Sequence, residues 1–288
     1  MSRPLVVVMI VGILFFGYRL MADTSTASSA SVTPPTMSLE PTLLPGSVIV
    51  SDALSARAYV IMDAMTGTVL ASAAAEEILP IASVTKLVTA AAVYESSRTH
   101  SLKLTAEIPH LDQTVSVYDL LFALLLTSSN TAGEALAKAD PTLVTTAMPQ
   151  VLAQAAVTAS MRLVDTTGLS DDNQASANAL ALFTKYLWQK KPQVLDMTVL
   201  PQYVAAHDRF VNNNPVAGNG GYRGGKHGYT PAANRTLTAI YDEETSLGRR
   251  PIIYVVLGSD SLVSDVSLLR QSIAASTIET GTTSAILP

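Results

Sequence analysis

The apolar run at residues 58–63 (Ala58-Tyr59-Val60-Ile61-Met62-Asp63) and the shorter one at 68–72 flank a turn at Met65-Thr66-Gly67, which predicts a β-hairpin. The period then lengthens. Within residues 83–96, Leu87, Val88, Ala91 and Tyr94 recur at spacings of three and four, the mark of an amphipathic helix. Ser116-Val117-Tyr118-Asp119 has the form of a capping box and opens an apolar helix that runs to Leu126. Residues 131–137 look helical again, Asp140-Pro141 predicts a further helix start, and more helix is expected over 149–160 and 176–188. In the last of these, Ala179, Leu182, Phe183 and Tyr186 make the apolar stripe. Strand patterns return at 235–241 and 252–257 on either side of a polar turn at 242–250. Strands at both ends with helices between them predict an α+β fold in which one antiparallel sheet is covered by helices, without βαβ alternation.

Outside that region the pattern is different. Arg3 precedes an apolar run over residues 4–18, and Arg19 interrupts before Leu20-Met21-Ala22. Residues 1–22 are expected to be an export signal or an N-terminal membrane anchor, since the run is short for a span of ~20 residues yet lacks a clean small-x-small cleavage site. Either reading puts the remainder outside the cytoplasm. Residues 23–46 are rich in Ser, Thr, Ala and Pro and read as a tether, with Pro34, Pro35, Pro41 and Pro45 favouring extended backbone. Residues 277–288 form a small-residue tail, so the expected folded domain is 47–276, about 230 residues and one domain by size.

Composition narrows the chemistry. Of 288 residues, 48% are hydrophobic and 14% charged, enough to bury a sizeable core. The net charge of -5 argues against nucleic acid as a partner. Without cysteine there is no disulfide, no thiol nucleophile and no metal site with Cys ligands, and no metal or organic cofactor is implied.

Three short elements carry chemistry. Lys86 alone among seven lysines has a serine three positions before it, in Ser83-Val84-Thr85-Lys86 at a helix start. On a helix, residues i and i+3 lie ~5–6 Å apart, so an uncharged Lys amine could take the Ser hydroxyl proton and create a nucleophile. The bland alternative is a helix-capping Ser83 and a solvated Lys86. Ser128-Ser129-Asn130 is a polar triplet between two apolar helices, open to a catalytic reading or to one as a turn whose side chains cap backbone groups. Ser176-Ala177-Asn178 has the same form but reads as a helix cap. The third element, Gly224-Gly225-Lys226-His227-Gly228-Tyr229-Thr230, puts a glycine-flanked Lys at a strand, where Gly228 would permit close backbone approach. Its likeness to a phosphate-binding loop fails at His227, where Ser or Thr should hold magnesium.

In this order, and with the neighbouring stretches 59–70, 79–87, 115–137, 168–177 and 225–237, the elements resemble the serine D-alanyl-D-alanine carboxypeptidases of the low-molecular-mass penicillin-binding proteins. The resemblance spans about residues 50–275 and implies a β-lactamase/transpeptidase-like fold with a helical subdomain. It implies Ser83 as nucleophile, Lys86 as its base, Ser128 as a proton relay and Asn130 as the holder of the substrate amide. Lys226 would favour an anionic substrate, the N–H groups of Ser83 and Tyr229 would form the oxyanion hole, and His227, Gly228, Tyr229 and Thr230 would line the substrate. The implied partners are a peptidoglycan stem peptide, with β-lactams as covalent inhibitors, and a membrane through the N-terminal segment.

The chain departs from that family at several points. His227 replaces the Thr whose hydroxyl helps bind the terminal carboxylate, and an imidazole is larger and ordinarily titrates near neutrality. Asn234 and Ser129 stand where Gly is usual, and Ser83 and Ser128 are only 45 positions apart, which is short. No Glu-bearing loop of the class A β-lactamases is recognisable, which argues against rapid β-lactam hydrolysis. Carboxypeptidase action, D,D-endopeptidase action by the same chemistry, and a non-catalytic wall-binding role are the three readings the sequence supports, in that order.

Overall fold

The computed structural model describes residues 42–43, 48–99, 106–107, 114–205, 208–275 and 280–281. The expected signal or anchor at 1–22 and nearly all of the tether lie outside these residues. The predicted hairpin forms β1 (Ala58–Asp63) and β2 (Val69–Ala73). A 3-10 turn, Ala82–Val84, then leads into α1 (Thr85–Thr99), followed by α2 (Val117–Leu126) and α3 (Asn130–Ala139). A π-helical turn at Leu143–Ala147 leads into α4 (Met148–Gln154), and α5 (Ala177–Lys190) and α6 (Pro192–Val199) complete the helical part. The chain returns to the sheet as β3 (Tyr222–Thr230), β4 (Asn234–Thr245) and β5 (Gly248–Ser259) and ends on α7 (Leu262–Ala275).

The sheet order is β3-β4-β5-β1-β2, antiparallel throughout, so the first hairpin joins the last one through β5 and β1. Its strands are buried on both faces because a period of two sends alternate side chains into two cores. Val60, Met62, Ile240, Ile253 and Val255 pack toward the helices α1 to α6. Ile61, Tyr241, Ile252, Tyr254 and Val256 pack on the other side, under Leu262, Val266, Leu269 and Ile273 of α7. That 4-3-4 spacing gives α7 one apolar stripe, and each such fully buried side chain contributes about 1.5–3 kcal/mol. The first half of α1 is different: Thr85 through Val93 is buried on every side, which makes it the axis of the domain rather than a surface helix.

Three local expectations need correction. Asp140 does not start a helix; it caps the end of α3, and its Oδ1 accepts from Thr142 N (2.9 Å) in a turn that feeds the π-helical segment. The helix expected over 149–160 stops at Gln154, because Ala156 adopts φ +57° and Val157 N bonds back to Leu152 O, a Schellman-type ending. Most of the polar stretch 242–250 is strand, with only Ser246 and Leu247 outside β4 and β5. Four of its five charges are in ion pairs: Arg250 with buried Asp63, Glu243 with Arg270, and Asp242 with Arg249 and Arg223. Elsewhere the caps behave as expected, with Ser116 and Ser176 accepting from the third residue on, although Asp119 receives Tyr203 Oη at 2.9 Å as well. Thr42–Leu43, from the tether, pairs antiparallel with Thr280–Gly281, from the tail.

Candidate active site

The turn that carries Ser83 is fixed from three directions. Ile81 N donates to Asn173 O (3.0 Å), and Ile81 O accepts from Thr236 Oγ1 of β4 (2.9 Å). Ala82 is forced to φ +48°, a left-handed conformation that costs about 1–2 kcal/mol for a residue with a Cβ. Two glycines make room for it. A Cβ on Gly168, itself at φ +79°, would lie 1.9 Å from Ala82 O, and one on Gly228 of β3 would lie 2.6 Å from Ser83 N. The close backbone approach that the sequence led us to expect at Gly228 is therefore made by the turn that carries Ser83.

One helical turn on, Lys86 is fully buried, and its Nζ donates to Ser83 Oγ (2.7 Å), Asn130 Oδ1 (2.8 Å) and the Thr167 carbonyl (2.5 Å). All three ammonium protons are thus accounted for. Burial lowers the Lys86 pKa to about 8, against the opposing pull of the Asp165 carboxylate. The polar triplet resolves into both of its readings at once. Ser129 Oγ caps α3 by accepting from Ala132 N (3.1 Å), while Asn130, the first residue of that helix, turns its amide oxygen to Lys86. Ser128 sits at φ +58° between the helices, half-buried, and its hydroxyl has no hydrogen-bond partner among the described residues. Ser176 is a cap and Asn178 Nδ2 reaches Glu76, so the look-alike Ser-x-Asn takes no part.

On the edge strand β3, Lys226 is also buried, and its Nζ donates to the His227 carbonyl (2.8 Å). Burial first, and then the Lys86 charge, push its pKa well down. His227 and Tyr229 line a cavity of about 330 Å³ with Pro215, Arg235, Asp260 and Leu262. The imidazole does not titrate near neutrality as its ordinary value suggests: burial, then Lys226 and Lys86, lower its pKa to about 3, and its Nδ1 is buried without a partner among the described residues. Thr230 Oγ1 accepts from Ala233 N and so closes the turn to β4. Asn234 lies at φ +51°, which explains why glycine suits that position, and its Nδ2 is tied to Asp260 Oδ1 at 2.7 Å.

The sequence reading missed Asp165 and Thr167. The carboxylate of Asp165 accepts from Thr167 N, Gly168 N, Ser170 N and Asn173 Nδ2, and these bonds hold its pKa below the usual carboxylate value despite partial burial. This knot aims the Thr167 carbonyl at Lys86. Asp165-Thr166-Thr167-Gly168 is a turn signature, so the loop was legible as a turn, but a main-chain acceptor leaves no trace in side-chain chemistry.

The sequence model of the family described as D-alanyl-D-alanine carboxypeptidase matches residues 47–261. No curated relative matches at a significant level. Among solved structures, the chain is similar to a D-alanyl-D-alanine carboxypeptidase from Mycobacterium tuberculosis, with 22% identity and a TM-score of 0.69 over 84% of this chain and 100% of that one. It is similar to penicillin-binding protein D2 from Listeria monocytogenes in its ampicillin-bound form, with 22% identity and a TM-score of 0.68 over 78% and 98% of the two chains. A peptidoglycan synthesis regulatory factor from Streptococcus pneumoniae gives 26% identity and a TM-score of 0.67 over 77% of each chain. These likenesses confirm the transpeptidase-like fold.

Proposed function

The chain belongs to the D-alanyl-D-alanine carboxypeptidase family of serine peptidases, and from that premise we propose how it removes the terminal residue of a peptidoglycan stem peptide. The observation that carries the reading is the bond network Ser83 Oγ–Lys86 Nζ–Asn130 Oδ1, which links a hydroxyl, an amine of lowered pKa and an amide from two helices. With a pKa near 8, roughly a tenth of Lys86 is neutral at pH 7. In that state its nitrogen accepts the Ser83 proton as Oγ attacks the carbonyl between the two D-alanines. The tetrahedral oxyanion is met by Ser83 N–H and by Tyr229 N–H on β3. As the C–N bond breaks, a proton passes to the leaving amine by way of Ser128, which has its hydroxyl unengaged and stands two residues from Asn130. Water then attacks the acyl ester, with Lys86 again taking a proton, and Ser83 is regenerated.

The same acyl-serine chemistry accounts for β-lactams as covalent inhibitors of this chain, an expectation supported by the ampicillin held by the Listeria protein. Crosslinked D,D-peptides offer the same bond, so endopeptidase action uses the identical machinery. For location, we favour the outer face of a bacterial cytoplasmic membrane, with the apolar run at 4–18 as signal or anchor and residues 23–46 as the tether. The test is release of D-Ala from a pentapeptide ending in D-Ala-D-Ala, set beside hydrolysis of a crosslinked muropeptide dimer. Release from the pentapeptide is expected; activity on the dimer alone would make the chain an endopeptidase. Acylation by penicillin without turnover of either peptide would favour the wall-binding reading.

A further inference from the structure

The cavity beside β3 contains a charge that the reaction above does not use. Three basic side chains meet at this end of the sheet, and two of them are poor carriers of charge. Lys226 is buried with its pKa pushed well down, and His227 is held neutral. The third, Arg235, lies on β4 directly opposite Tyr229 and carries a planar guanidinium. Its guanidinium is oriented but not neutralised. Nη1 donates to the Asp260 carbonyl (3.0 Å) and weakly to Asn234 Oδ1 (3.4 Å), and the group sits 5.5 Å from the centre of the Tyr229 ring. Among the described residues no carboxylate pairs with it, and Nε and Nη2 have no acceptor. The one acidic side chain on the wall, Asp260, has its Oδ1 occupied by Asn234.

The cavity and the turn that carries Ser83 share one neighbour. Gly228 belongs to its wall, and the same glycine presses on Ser83 N. A leaving residue bonded to the acyl carbon at Ser83 carries its carboxylate one residue beyond the scissile bond, along β3 and toward His227 and Arg235.

Resting on the functional reading above, we propose that Arg235 is the specificity-determining residue that grips the substrate's free C-terminal carboxylate, with His227 as a neighbour in the same pocket. The planar fork of a guanidinium suits a carboxylate, and the two unengaged nitrogens supply the donors. In this chain the recognition of the terminal anion has thereby moved from the position held by His227 to the neighbouring strand.

The experiment measures kcat/KM of the full chain on a peptide ending in D-Ala-D-Ala and on its C-terminal amide, for the wild type, Arg235→Gln and Arg235→Lys. The wild type should prefer the free acid. Arg235→Gln should lower kcat/KM for the acid by about 10- to 100-fold and leave the amide within about twofold, as expected for one lost bond to a charged group. Arg235→Lys should recover part of the preference through charge alone. A wild-type acid-to-amide ratio near one, or an equal fall on both substrates in Arg235→Gln, overturns the proposal. Covalent penicillin labelling at Ser83, followed in the same samples, separates this failure from failure of the enzymatic reading: labelling that persists while the ratio is flat removes Arg235 alone.

Discussion

The two walls of the groove are built on opposite plans. On the helical wall the central amine is fully engaged: three acceptors surround Lys86 Nζ and Asp165 locks the loop that supplies the third, while the Ser128 hydroxyl and the buried Thr85 Oγ1 have no partner among the described residues. On the strand wall, among the described residues, His227 Nδ1 is buried without a partner and no carboxylate pairs with Arg235. A buried polar atom without a partner costs about 1–3 kcal/mol, which the burial around β3 offsets. The contrast lies in the cations: Lys86 is held by three acceptors, and the Arg235 guanidinium is left with open donors.

Changes to the helical wall should have the largest effects. Lys86→Met is expected to slow acylation by about 10²–10⁴-fold, as removal of a general base does, and to lower the melting temperature by several degrees, because Asn130 Oδ1 and the Thr167 carbonyl lose their donor. Stopped-flow acylation and thermal unfolding measure the two halves; a variant that acylates at the wild-type rate would break the contrast. Gly228→Ala tests the seam between the walls. Its Cβ would meet Ser83 N at 2.6 Å and Thr236 Oγ1 at 2.8 Å, so the strand must move off the nucleophile turn, and stability should fall by about 1–3 kcal/mol along with acylation. Denaturant melts and penicillin-binding rates of the same preparation read both effects.

A subtler probe is pH. Acylation requires neutral Lys86, so its rate should rise with pH and level off above about 8. The Asp165 carboxylate favours the charged amine, so Asp165→Asn should move that inflection to lower pH. An unmoved or raised inflection in the variant would remove Asp165 from its tuning role. The smallest effect is expected at the far end of the strand wall. Asn234→Gly relieves a φ of +51° but loses the bond to Asp260, two terms of similar size, so melting temperature should shift by no more than a few degrees.

Much of this was readable from the chain, for identifiable reasons. The pair Ser83 and Lys86 is set by helix geometry at a spacing of three, and the hairpin 58–73 and the apolar helix to Leu126 by period and punctuation. What escaped the reading depends on partners far away in sequence. Residues 242–250 look like a turn because their charges are polar, and they are strand because those charges pair with Arg223, Asp63 and Arg270. The α7 stripe was not singled out, and the depressed pKa of His227 follows from burial beside two lysines. The Thr167 carbonyl, an acceptor for Lys86, could be found only in three dimensions.

The function proposed above makes Ser83 the nucleophile in a groove closed by β3. Its most direct test is intact-mass analysis and peptide mapping of the full chain after exposure to benzylpenicillin, with Ser83→Ala alongside. One adduct per chain, mapped to the peptide containing Ser83 and missing from the variant, is the predicted result. An unmodified wild type, or an adduct of equal yield on the Ala variant, would contradict it.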